Sequence, residues 1–187
     1  MAPTTILTLV GSLRSASVNR RLAVLAAETA PDEVRLDIYE DLAGVPFYNE
    51  DLDTDEPPAA VAALRAAAAQ ADGALFVTPE NNGTIPAVLK NAIDWLSRPW
   101  GAGALNGKPV AVIGFALGRS GGSAAHDETR KSLGIAGPRV LDTVTLSLSG
   151  RDLNGQEPAE HAATVDAVRA AVLELVTDIA STRDASA

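Results

Sequence analysis

Three short stretches, residues 4–10, 74–77 and 110–115, read as apolar and β-branched on consecutive positions instead of alternate ones. Each is too short for a helix. A strand with no polar face belongs in a sheet covered on both sides. Two further stretches alternate: Val34, Leu36 and Ile38 against Arg35, Asp37 and Tyr39, then Val144, Leu146 and Leu148 within 139–148, against Thr143, Thr145 and Ser147. Helical spacing fills the intervals over 18–30 (Leu22, Leu25, Ala26, Thr29), 59–71 (Val61, Leu64), 86–96 (Leu89, Ala92, Ile93, Leu96), 123–133 and 158–179. Strand and helix therefore alternate five times, which implies a parallel sheet with helices on both faces. With the two alternating strands at its edges, the sheet takes the order 2-1-3-4-5.

That order is the flavodoxin-like, doubly wound α/β arrangement of five parallel strands, in which a ligand lies outside the carboxyl ends of strands one and three. Three loops converge there: 11–19, 79–83 and 116–122. The first joins a strand to a helix N-terminus, where free backbone N–H groups and the helix dipole favour an anion. Ser12, Ser15 and Ser17 add hydroxyls, Asn19 an amide and Arg14 a fixed positive fork. Ser17 also suits a plain helix cap, with Arg14 a solvated surface residue, and this loop alone does not separate the two readings. Only Gly11 lies in the loop, so the G-x-G-x-x-G fingerprint of a dinucleotide-binding Rossmann domain is absent. The second loop, Pro79-Glu80-Asn81-Asn82-Gly83, offers consecutive N–H groups and two amides, although Asn-Gly also makes tight turns. The third, Gly118-Arg119-Ser120-Gly121-Gly122, lets a ligand approach the backbone closely.

Composition removes several alternatives. At 187 residues the chain suits a single domain, expected over 1–180 with a flexible tail over 181–187. With no cysteine there is no disulfide, thiolate metal ligand or cysteine nucleophile. His126 and His161, the two histidines, sit among polar residues and are expected at the surface, so a histidine-based metal site or triad is not expected. A net charge of −9 argues against a nucleic-acid-binding surface, and the field at any anion site must be made locally positive, as Arg14 would do. Residues 1–5 lack the basic region of a secretory signal, and the apolar runs are too short to cross a bilayer. The expected location is the cytoplasm, without membrane association.

Four motifs carry a resemblance to a known family. Gly11-Ser12-Leu13-Arg14 with Ser17 and Asn19 is similar to the phosphate loop of the NADPH-dependent FMN reductases. Pro79-Glu80-Asn81-Asn82-Gly83-Thr84-Ile85-Pro86 followed by Leu89-Lys90-Asn91-Ala92-Ile93-Asp94-Trp95 resembles that family's second signature. Pro46-Phe47-Tyr48-Asn49-Glu50-Asp51-Leu52 resembles its P-L-Y-N-x-D loop, and 118–122 its third loop. The resemblance runs over about residues 6–133. It implies FMN as cofactor and NADPH or NADH as co-substrate. It also implies a small-molecule electron acceptor and assembly as a homodimer or homotetramer.

Carried across residue by residue, Ser12, Arg14, Ser17 and Asn19 would hold the flavin phosphate, with Val18 beside them in the cofactor site. Pro79, Glu80, Asn81 and Asn82 would run beside the isoalloxazine, and Ala116, Gly118, Ser120 and Gly121 would cover its pyrimidine side. Asn81 stands where the family usually has Tyr, and Ala116 where some relatives have Ser. Phe47, Tyr48 or Trp100, of this chain or of a partner subunit, is a candidate for the missing aromatic contact, the ordinary role of Trp95 and Trp100 being burial in the core or an interface. Lys90 and Asp94, four apart on a helix, are expected to pair with each other. No catalytic side chain is assigned, because hydride transfer is the cofactor's chemistry.

The activity implied is an FMN-dependent NAD(P)H oxidoreductase that passes hydride from nicotinamide to flavin N5, then to a quinone, flavin or other small acceptor by ping-pong turnover. A flavodoxin-type electron carrier without nicotinamide activity is the alternative, and a nucleotide-binding regulator without turnover a third. Arg119 is the candidate for meeting a 2′-phosphate.

Overall fold

The computed structural model describes residues 3–185. The strands are β1 (Thr4–Val10), β2 (Val34–Ile38), β3 (Gly73–Val77), β4 (Pro109–Ala116), β5 (Arg139–Val140) and β6 (Ser147–Ser149). The helices are α1 (Val18–Glu28), α2 (Ala59–Gln70), α3 (Ala87–Leu96), α4 (Ser123–Ala136), α5 (Gly150–Leu153) and α6 (Ala162–Ala185). All strand pairs are parallel and the order is β2-β1-β3-β4-β5, as the buried and alternating strands require; β6 also pairs with β4.

Two cores sandwich the sheet. On one face α1 and α6 bury Leu22, Leu25, Val168, Val172 and Leu175 against Ile6, Leu75, Val77 and Ile113. On the other, α2, α3 and α4 bury Val61, Leu64, Leu89, Trp95 and Leu133 against Leu7, Leu9, Phe76 and Val112. Successive side chains of β1, β3 and β4 thus enter opposite cores, which is why these strands have no polar face. Their consecutive burial matches the sequence reading.

Several expectations are corrected. The stretch 139–148 is not one strand. β5 pairs Val110 with Val140, whereas β6 pairs Gly114 with Ser147, so three extra residues leave the sheet between them. A turn closed by the Val144 N–H on the Leu141 carbonyl takes up the excess. The expected helix over 158–179 begins as a short 3-10 turn, Pro158–Glu160, and then restarts as α6. α6 continues through Ala185, into the stretch expected to be a tail; residues 186–187 lie outside the described residues.

His126 is not at the surface. It is wholly buried on α4, while His161 is half-buried beside Thr164 at the start of α6. No helix among the described residues is long and apolar enough to cross a membrane.

Candidate active site

A cleft of about 390 Å³ opens at the carboxyl ends of β1, β3 and β4. Its walls are Ser12, Arg14, Ser17, Val18 and Asn19 from the loop entering α1, Pro79, Glu80 and Asn81 after β3, and Phe115, Ala116, Leu117 and Gly118 at the end of β4. Ten of the thirteen expected site residues meet there.

Asn82, Ser120 and Gly121 do not line it. Asn82 sits at positive φ on the exposed tip of a hairpin in which Asn81 and Thr84 exchange backbone hydrogen bonds. Ser120 is exposed, and its hydroxyl accepts from the Gly122 N–H at 3.4 Å within its own turn. Gly121 is packed on the Ser147 backbone so closely that a side chain would overlap it. Phe115 was missed because it ends the apolar run 110–115, and nothing in the residues marks where that strand leaves its neighbour; Leu117 lies in the expected loop 116–122.

The anion wall forms as the local sequence dictates. Ser17 is the N-cap of α1, its hydroxyl accepting from the Arg20 N–H. The amides of the first turn ahead of Arg20 keep no intrahelical acceptor and face the cleft loop. Arg14 is exposed and makes no ion pair or side-chain hydrogen bond among the described residues. By contrast, neighbouring Arg20 is held on Glu40 by two bonds of 2.6 and 2.7 Å. Arg14 is the cleft's one cationic lining side chain among the described residues, and Glu80 its one carboxylate. One Glu80 oxygen, Oε2, is shielded from solvent without a hydrogen-bond partner. A buried acceptor left open at a cleft wall suits a ligand that brings its own N–H.

Asn19 is 3% exposed, and its side chain faces the sheet. Nδ2 donates to the Phe115 carbonyl at 2.9 Å and Oδ1 accepts the Phe115 N–H at 2.8 Å. Its amide therefore braces the cleft floor and is not free toward the cleft.

The Lys90–Asp94 pair forms as expected, at 2.5 Å. The neighbouring residues of that motif hold the long loop after β2. The Asn91 amide donates to the Val45 and Pro46 carbonyls, its oxygen accepts the Tyr48 N–H at 2.8 Å, and the Trp95 indole N–H donates to the Pro46 carbonyl at 2.8 Å. Arg65 of α2 completes the clamp on Asp53 at 2.7 Å. Tyr48 is spent packing edge-on against Trp95, with ring centroids 4.9 Å apart. Phe47 and Trp100 are exposed, and neither they nor Tyr48 lines the cleft, so no aromatic of this chain among these three replaces the one absent at Asn81.

A doubly wound parallel sheet with a single-cation polar cleft at its carboxyl edge defines a flavodoxin-like α/β protein. Comparison with known proteins makes the class specific. The NADPH-dependent FMN reductase family matches residues 4–152, and the chain belongs to that family. A 2-hydroxy-1,4-benzoquinone reductase from a Burkholderia species is 46% identical over 121 residues, 65% of this chain and 65% of its own length. A quinone reductase of Escherichia coli K12 is 40% identical over 138 residues, 73% of each chain. Among solved structures, FerB, a flavoenzyme NAD(P)H:(acceptor) oxidoreductase of Paracoccus denitrificans, superposes with a TM-score of 0.84 at 28% identity. That superposition covers 95% of this chain and 98% of FerB. The matched region thus spans slightly under two thirds of the Burkholderia relative's length.

Proposed function

We propose that the chain is an FMN-dependent NAD(P)H oxidoreductase whose acceptor is a quinone, flavin or similar small molecule. The observation that carries this reading is the cleft itself: an unpartnered Arg14 beside a free helix N-terminus at one end, and an unpartnered buried Glu80 oxygen on the opposite wall. A flavin monophosphate offers one dianionic phosphate and one N–H-bearing ring edge, matching both. The relatives named as quinone reductases support the acceptor class.

Ser12, Arg14 and the first-turn N–H groups of α1 would hold the phosphate by charge-assisted hydrogen bonds. Pro79, Glu80 and Asn81 would flank the ring, and Ala116, Leu117 and Gly118 would close the other side. When bound, FMN supplies the chemistry, taking hydride at N5 from reduced nicotinamide and passing it to the acceptor in alternating half-reactions. The protein's part is to orient and to desolvate. The apolar floor of Phe115 and Ala116 keeps water from one side, while small Asn81 leaves the mouth open to a stacking substrate. The proposed dependence on reduced nicotinamide supports a cytoplasmic location. Exposed Phe47 and Trp100, 76% and 68% accessible, support assembly as a homodimer or homotetramer.

Initial rates measured at several fixed quinone concentrations against NADPH test the turnover scheme. Parallel double-reciprocal lines are expected from alternating half-reactions at one face; lines that intersect contradict it.

A further inference from the structure

The hydrogen-bond ladder between β3 and β4 opens at a fixed point. The Thr78 N–H still donates to the Ile113 carbonyl at 3.0 Å, continuing the register that pairs Val77 with Ile113. In a parallel ladder the next rung would run from the Phe115 N–H to the Thr78 carbonyl. That rung is not made. The Phe115 N–H goes to Asn19 Oδ1 and the Thr78 carbonyl takes 2.9 Å contact with His126 Nε2. Asn19 enters from α1 on one face of the sheet and His126 from α4 on the other. The fork they occupy is the floor of the cleft.

The chemistry fixes the imidazole. A carbonyl can only accept, so Nε2 carries the proton, and Nδ1 accepts the Ser147 hydroxyl at 2.6 Å. His126 therefore bridges the end of β3 to β6 across β4. Gly114 makes room for it: a side chain there would overlap the Thr78 carbonyl and come within 2.6 Å of His126 Nε2. Both wedge residues are almost fully buried, at 3% and 0% exposure.

The geometry points to His126 as a positioning residue for the cofactor cleft: by occupying the Thr78 carbonyl it prevents β3 and β4 from zipping one rung further and holds Pro79–Glu80 apart from Ala116. The physical reason is the cost of an orphaned buried carbonyl. With the imidazole gone, the partner the ladder offers Thr78 is the Phe115 N–H. Taking that partner displaces Asn19 and draws the two cleft walls together. His126 is not itself a lining residue, and its two hydrogen bonds go to Thr78 and Ser147.

The inference rests on the FMN reading of the cleft and is tested by titrating the apoprotein with FMN. Quenching of flavin fluorescence gives the affinity, and far-UV circular dichroism verifies folding at the titration temperature. His126→Leu is expected to weaken FMN at least tenfold while remaining folded. His126→Gln, which keeps a donor for Thr78, is expected to stay within threefold of the native protein. If His126→Leu binds within threefold of native and merely melts lower, or if His126→Gln is as weak as His126→Leu, the positioning role is overturned. Should His126→Leu not fold, Ser147→Ala is read instead, since it leaves the imidazole but removes the hydroxyl that orients it. A loss of about threefold is then expected, and unchanged affinity overturns the role. A native apoprotein that takes up no FMN overturns the reading of the cleft itself.

Discussion

Arg130 places its Nη2 3.0 Å from the Val144 carbonyl and 3.3 Å from the Val112 carbonyl, bridging the gap where β5 has ended and β6 has not begun. The three-residue excursion strips a backbone partner from β4, and a guanidinium 10% exposed supplies it. Arg130→Leu leaves both carbonyls unpaired in a largely dry site. The expected loss is about 2 kcal/mol of unfolding free energy, read from urea midpoints, with FMN affinity little changed. A midpoint within error of native would show that water serves these carbonyls equally well.

The loop over residues 40–58 is held by side chains and not by a ladder. Asn91 satisfies three backbone groups of that loop while only 7% exposed. Asn91→Leu is therefore expected to cost about 3 kcal/mol. Limited Glu-C digestion should cut after Glu50, within 40–58, many times faster than in the native protein. Unchanged protection of that segment would contradict the clamp.

Burial pushes the His126 imidazole below its ordinary value of 6.5, aided by Arg130 and opposed by the Thr78 hydrogen bond, Asp127 and Glu80. The native state then refuses a proton that the unfolded chain accepts. Stability from this group is level above pH 6.5, falls as pH drops below it, and stops falling once the native imidazole itself protonates. Urea midpoints recorded from pH 8 down to pH 5 should show this decline in the native protein and a shallower one in His126→Gln. Parallel profiles would remove His126 as the source.

Strand order was legible because consecutive apolar residues and alternating ones are direct records of two-sided and one-sided burial. The cleft's position followed from that order, and the loops that bring Ser12, Arg14, Pro79 and Glu80 to its walls were legible as polar stretches at strand ends. What stayed hidden were side chains serving backbone at long range. Asn19 meets Phe115 across 96 residues, and His126 meets Thr78 across 48, and neither spacing has a local periodicity. Gly114 was the available clue: a glycine inside an apolar strand marks a close approach, here of His126. The split of β5 from β6 leaves only a faint mark, since Val144, Leu146 and Leu148 alternate as one strand would and Leu141 alone is out of step with them.

Arg14 is the one cationic side chain lining the cleft among the described residues, in a chain of net charge −9. Arg14→Ala is expected to weaken FMN about tenfold, in line with loss of a charge-assisted contact. Riboflavin, which lacks the phosphate, should bind native and variant alike. Equal FMN affinities would show that the helix N-terminus and Ser12 suffice.

On the proposed function, this cleft holds FMN, which accepts hydride from nicotinamide. Purified protein is mixed with FMN, desalted, and its visible spectrum recorded under nitrogen before and after one equivalent of NADPH or NADH. A yellow protein that bleaches on addition, and recovers its colour with a quinone, is the predicted result. A protein that desalts colourless, or stays yellow with both nucleotides, contradicts the account.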